Sequence, residues 1–282
     1  MRCHPAARSF RLLAIGALLA APAVARAQAA RPVLTARLDH LILVVPDLDS
    51  ATAPLEQLGF RLKPGRLHAN NLINRHVKFR DGTGIELMSL AGPPRDSMAI
   101  RYRQLLERGA GGAYVALRSE DLGAVAAEAR RLGLTTRLSS SGAWRFLDFP
   151  GESDASWASD ASAVFFVSGG TPANDPDSLV AHPNRALALT QAWVEGGPLL
   201  DSLLHAAGGR HVGSVRGPDA RAGTRWQLAS GQVIVVSRDS PRAWPRPLGA
   251  VVGRAQLAPV PVSLHRLPIG VWIALMNDTG TD

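Results

Sequence analysis

Only one cysteine, Cys3, stands in the 282 residues, so no disulfide can close within the chain. Should the N-terminus be trimmed, no thiol remains for nucleophilic, zinc-ligating or redox chemistry. Lysine is confined to Lys63 and Lys78, so nearly all 31 basic residues are arginine. They are scattered rather than striped, which argues against a nucleic-acid partner. Beyond the N-terminus no apolar run approaches the ~18 residues of a membrane span. Nor is there a G-x-S-x-G elbow, a P-loop, a G-x-G-x-x-G after a strand, or an H-E-x-x-H pair. What is present is globular: 46% hydrophobic, 19% charged and 5% aromatic residues. The length suits one large domain or two small ones, burying roughly 70–75% of the unfolded surface.

The first 27 residues read as a secretory signal. Arg2, Arg8 and Arg11 precede the apolar run Leu12–Val24, and Ala25-Arg26-Ala27 is the middle of three overlapping A-x-A cleavage patterns. The run would span about 20 Å as a helix, short of a bilayer. No twin arginine precedes it, which favours the Sec route. Cleavage after Ala27 removes four arginines and no acid, leaving 27 basic against 23 acidic residues, a net +4. The expected location is periplasmic or secreted, with no membrane attachment after processing. A retained N-terminal anchor is the alternative.

The remaining chain repeats a pattern. Residues 38–45 read as a buried strand, 50–58 as a helix closed by Gly59, and 60–62, 74–79 and 84–90 as three further strands, with 63–71 as loop. A second β-α-β-β-β unit follows: strand 113–118, helix 122–132 closed by Gly133, and strands 135–138, 144–149 and 163–168. Asp47-Leu48 matches Asp121-Leu122, and Gly59-Phe60 matches Gly133-Leu134, both at an offset of 74. A third unit is expected over 185–237, with a helix at 198–207. The apolar runs 248–252 and 270–276 fit a fourth that has lost its helix. The expected fold class is α+β, repeated β-α-β-β-β modules forming open cup-shaped sheets. The expected layout is two units in 36–170, a linker over 171–184, and further degenerate modules over 185–276.

Residues 38–41 (LDHL), 45–48 (VPDL) and 74–87 (NRHVKFRDGTGIEL), with His182-Pro183-Asn184, resemble the glyoxalase-like branch of the vicinal-oxygen-chelate (glyoxalase/bleomycin resistance/dioxygenase) superfamily. The resemblance is dense over about 50 residues. It implies paired modules curling into a cup, and in metal-dependent members a divalent ion held by one His or Gln and one Glu from each of two modules. Imidazole and carboxylate suit such ions, and open positions take substrate. His40 and Glu86 match the first module's pair, with His68, His76 or His182 as third-ligand candidates. The second module departs from the pattern: Tyr114 falls opposite His40, and Phe165 opposite Glu86. In the third, Ile234 falls opposite Glu86, and Gln191 is the only stand-in for the histidine.

Several functional readings follow. One is a metal-assisted lyase, isomerase or dioxygenase acting on a small oxygenated substrate, with Glu86 as the catalytic proton shuttle. A second is a metal-free cup sequestering a small apolar-aromatic ligand, which the departures at Tyr114 and Phe165 favour. A third is a cup filled by its own side chains. Asn74, Arg75, Tyr114, Phe165 and His182 are the candidate ligand-binding residues. His40 also fits a hydrogen-bonded core histidine, His182 a turn cap, and Trp144 and Trp157 an aromatic core. Asp148, Glu152, Asp154 and Asp160 read as a solvated loop. Which modules pair, and whether a homodimer forms, stays open.

Overall fold

The computed structural model describes residues 34–150, 159–170, 175–238, 245–255 and 263–277. The signal segment, Glu152, Asp154 and Trp157 lie outside the described residues. The first unit runs β1 (Arg37–Val44), α1 (Leu48–Gln57), β2 (Lys63–Leu67), β3 (Leu72–Lys78), β4 (Gly84–Leu90). A helix α2 (Ser97–Glu107) leads to the second: β5 (Gly111–Arg118), α3 (Leu122–Arg131), β6 (Arg137–Ser141), β7 (Trp144–Asp148), a 3-10 turn (Asp160–Ala163) and β8 (Val164–Gly169). From β1 to β2 and from β5 to β6 every element begins and ends at an offset of 74.

After a one-turn helix α4 (Asp177–Val180) the third unit follows: β9 (Ala186–Gly196), α5 (Pro198–Ala206), β10 (Arg210–Arg216), β11 (Ala222–Gln227) and β12 (Gln232–Ser237). Strands β13 (Pro247–Arg254), β14 (Ser263–Arg266) and β15 (Trp272–Asn277) complete the chain. The first two units share one eight-stranded sheet, ordered β2-β3-β4-β1-β5-β8-β7-β6. The rest form a seven-stranded sheet, β10-β11-β12-β9-β13-β15-β14. Units one and two therefore make one cup, settling the pairing that the sequence left open. In each sheet the central strands, β1–β5 and β9–β13, pair antiparallel, while β1–β4 and β9–β12 pair parallel.

Strand alternation explains the packing. Leu41 and Leu43 point to the convex side and are fully buried with Leu55 of α1, Val125 of α3, Leu200 of α5 and Val194 of β9 in one continuous core. Ile42 and Val44 point to the concave side, so β1 is covered on both faces and reads as an unbroken apolar run. At about 25 cal/mol per Å² each such residue contributes roughly 1.5–3 kcal/mol. The sheets approach so closely that a Cβ on Gly112 would lie 2.0 Å from the Pro247 carbonyl oxygen.

Three local expectations are corrected. The residues read as loop after Leu62 include an edge strand, β2. Its pattern is exposed at four of five positions, so no apolar alternation marks it. The helix read over 50–58 carries Pro54 in its interior, so one helical hydrogen bond is lost there. The helix α2 was not anticipated, although Asp96 caps it (Oδ1 accepts from Ala99 N, 2.7 Å) and Ala99, Tyr102 and Leu105 form its buried stripe. That stripe lies on Ile42, Val44, Leu72 and Met88, so α2 fills one end of the first cup. Among the described residues no helix is long and apolar enough to cross a membrane.

Candidate functional site

The uncovered end of the cup is organised by a break in β1. Adjacent strand residues normally face opposite ways. The β1–β5 register shifts between Leu38 and His40, leaving Asp39 as an extra, bulged residue. Asp39 and His40 thereby meet on one face, with Asp39 Oδ1 2.6 Å from His40 Nδ1. The other Asp39 oxygen accepts from Arg118 Nε at 2.6 Å. Arg118 also donates to the Gly169 carbonyl at 2.8 Å and lies 5.1 Å over the Trp144 ring.

On the far side His40 Nε2 faces Glu86 Oε2 at 3.5 Å. Glu86 Oε1 accepts from Asn74 Nδ2 at 2.7 Å, and His76 Nε2 lies 3.7 Å from the same oxygen. Asn74 Nδ2 also reaches His76 Nε2 at 3.1 Å, which requires that nitrogen to be an acceptor. Asn74 Oδ1 accepts from the Arg66 backbone at 3.1 Å. The bend of β2 that brings this N–H in passes so near Asn74 that a Cβ on Gly65 would lie 1.6 Å from the Asn74 carbonyl oxygen. A continuous polar line thus crosses the cup floor: Arg118, Asp39, His40, Glu86, Asn74, His76.

Its charges follow from burial and pairing. Burial alone would raise Asp39, but the His40 and Arg118 partners outweigh it and hold the carboxyl at about 2. Burial pulls His40 down, yet Asp39 and Glu86 outweigh it and raise the imidazole to about 9. Burial likewise pushes Glu86 up, and the His40 and Asn74 hydrogen bonds bring it to about 2. For His76 burial outweighs the pull of Glu86, and the nearby Lys78 and His40 charges add to it, so the imidazole is lowered to about 4. At neutral pH the line carries Arg118⁺, Asp39⁻, His40⁺ and Glu86⁻ beside a neutral His76.

The second module supplies aromatics at the matching places. Ile42 pairs with Glu86 across β1–β4, and Ala116, its counterpart at offset 74, pairs with Phe165 across β5–β8. Phe165 packs edge-on to His40 (ring centroids 6.0 Å apart), and Tyr114 edge-on to Phe165 at 5.8 Å. Tyr102 of α2 continues the series onto Tyr114 at 5.7 Å. Phe146 lies 6.4 Å from Phe165. Burial pushes the Tyr114 hydroxyl up to about 12, so it stays neutral. Asp148 is no solvated loop residue: it ends β7 and accepts from Arg101 of α2 at 2.9 Å and from Arg137 at 3.0 Å.

Not every sequence candidate enters the cup. Arg75 points to the convex side, where it donates to Asp49 (2.6 Å) and Thr52 (3.0 Å) of α1. His182 has both ring nitrogens engaged, Nδ1 accepting from Arg61 N at 3.0 Å and Nε2 bonding the Lys78 carbonyl at 2.8 Å. Its ring stands between Phe60 and Phe79. It latches the second half of the chain to the first, and has no lone pair left for a ligand. His68 sits in the β2–β3 turn, about 13 Å along β3 from His76. Asp39, Arg118, Tyr102 and Arg101 went unread in the sequence. The visible signals were an acid beside a histidine in an apolar strand and the three-residue spacing of Ala99, Tyr102 and Leu105.

The donor set does not fit a divalent ion. Only His40 and Glu86 of the expected set are present, since the second module's two positions are Tyr114 and Phe165, which supply neither imidazole nor carboxylate. Among the described residues no three His, Cys, Asp or Glu side chains are arranged to hold a metal.

Comparison with known proteins agrees with the fold. A hypothetical protein from Staphylococcus aureus superposes with a TM-score of 0.59 at 12% identity, over 86% of this chain and 99% of that one. A mutant 4-hydroxymandelate synthase from Streptomyces coelicolor gives 0.55 at 15% identity, over 79% and 72%. Homoprotocatechuate 2,3-dioxygenase from Arthrobacter globiformis gives 0.55 at 14% identity, over 90% and 84%. At these identities the likeness is one of fold. No curated protein sequence matches the chain. The family model of the glyoxalase-like domain matches residues 38–197, more than half of the sequence. With its paired modules and curled sheets, this chain belongs to the glyoxalase-like domain family.

Proposed function

We propose that the first sheet forms a metal-independent cup for a small aromatic molecule bearing a hydrogen-bond acceptor. The observation that carries this reading is the Phe165 ring lying against His40, at the position where a second carboxylate ligand would complete a metal set. Phe165 and Phe146 offer faces for stacking, and aromatic pairs add about 0.5–1.5 kcal/mol beyond buried area. The His40 Nε2–H makes a long 3.5 Å contact to Glu86, which a ligand oxygen would share or displace. Glu86 stays ionised beside it. Its part is to fix the His40 charge. We further propose export, supported by the charged start, apolar run and A-x-A pattern of residues 1–27.

The test is thermal-shift and calorimetric titration of the mature protein with a panel of small phenols and aryl ketones, with and without EDTA. Saturable binding that persists in EDTA and weakens at least tenfold in Phe165→Ala is the expected result. Binding that EDTA abolishes and a divalent ion restores would overturn it. N-terminal sequencing of the protein recovered from the periplasm tests export, with Gln28 expected first.

A further inference from the structure

The second sheet repeats the register of the first, which sets the matching positions of its concave face. Gln191 pairs with Val251 and Leu189 with Val252, so β9 is bulged at Thr190 as β1 is at Asp39. Trp193 pairs with Ile234 as Ile42 pairs with Glu86, and Arg225 pairs with Ile234 as His76 pairs with Glu86. Gln191 and Arg225 therefore stand where the first cup has His40 and His76. Trp226, the neighbour of Arg225, is buried on the convex side, whereas Trp193, Ile234, Val236, Val251 and Ala274 form an apolar cluster on the concave side. Alternation places Arg225 over that cluster.

Arg225 is half-buried, its Nε is wholly buried without a hydrogen-bond partner, and among the described residues no carboxylate pairs with it. Arginine cannot shed its charge, so a guanidinium withdrawn from water in this way is costly unless an anion meets it. Beside it Gln232 donates to Gln227 Oε1 at 2.8 Å while its own Oε1 is buried without a partner. A buried unmatched donor, Arg225 Nε, and a buried unmatched acceptor, Gln232 Oε1, thus lie together at the edge of an apolar cluster.

We infer that the second cup binds a small apolar carboxylic acid carrying a hydroxyl next to the acid group. The carboxylate takes the Arg225 guanidinium, the hydroxyl donates to Gln232 Oε1, and the apolar tail lies on the half-buried Val215 that packs against the cluster. This site is separate from the first cup and stands without it.

The probe is α-hydroxyisocaproate, titrated into the mature full-length protein by calorimetry and tryptophan fluorescence, with its neutral amide as the control. The acid is expected to bind at least tenfold tighter than the amide. Arg225→Gln is expected to weaken it at least tenfold, Arg225→Lys less, and Phe165→Ala in the first cup not at all. Equal binding of acid and amide, or no saturable binding up to about 10 mM, would overturn the inference without requiring any variant to fold. So would binding that survives Arg225→Gln or is lost in Phe165→Ala.

Discussion

Replacing Asp39 by Asn removes one negative charge from the polar line while keeping its size. In the folded protein the carboxyl is held at about 2, against an ordinary value of 3.8. A lowering of this size corresponds to about 2–3 kcal/mol at neutral pH. The pair is screened little, since the Asp39 and Arg118 side chains are 12% and 17% exposed. Breaking a buried pair from one side costs about 3–5 kcal/mol where nothing compensates. Asn can still accept from His40, so the lower figure is expected. For a chain of this size, about 2.5 kcal/mol lowers Tm by roughly 5–10 °C. Arg118→Gln should cost a similar amount, and the double variant should cost at least about 1 kcal/mol less than the two added, because they share one interaction. Arg37→Gln, at the exposed pair with Glu120, should cost under about 1 kcal/mol. Urea melts of the four variants and the parent at pH 7 measure all of this. If Asp39→Asn fell no further than Arg37→Gln, the line would be a surface network and the account of His40 would fail.

Four further outcomes are expected. His40 is raised from 6.5 to about 9, so its contribution is complete below pH 6.5 and is lost as pH climbs through 9. Melts at pH 7 and pH 10 should show that loss, and His40→Gln should flatten it. His76 is depressed to about 4, and Asp39 and Glu86 to about 2. Stability should therefore also fall on acidification, first between pH 6.5 and 4 through His76 and then toward pH 2 through the carboxylates. Gly112→Ala puts a Cβ 2.0 Å from the Pro247 oxygen and should cost at least about 2 kcal/mol by denaturant melt. Arg246 donates to the Leu105 and Gly109 carbonyls at 3.0 and 3.1 Å, capping α2, so Arg246→Ala should speed amide exchange in α2 while leaving that of β1 unchanged.

The duplication was legible because it is written in caps and apolar runs. Asp47 and Asp121, the acids of the repeated Asp-Leu landmark, both cap their helices, accepting from Ser50 and Ala124. The edge strand β2 was read as loop and β6 was placed a few residues early, because both are exposed at four of five positions and their pairing leaves no mark on composition. His40 and Glu86 could be placed from their strands, Tyr114 from the offset, and Phe165 from aligning the last strands of the two modules. The role of Asp39 could not, since it depends on a bulge that a period of two hides. Arg118 faces Asp39 through the β1–β5 pairing, a contact across 79 residues that no local pattern encodes. The helix α2 filling half the cup carried a readable stripe, yet nothing local says that a helix between two modules should fold inward.

The central claim is that the His40–Glu86 end of the cup works without a metal. Its most direct test is metal content of the mature protein, purified from the periplasm without chelator or affinity tag and assayed again after soaking with iron, manganese, zinc and nickel. The account predicts no stoichiometric ion in either sample. About one equivalent of any of these ions, lost in Glu86→Ala, would contradict it.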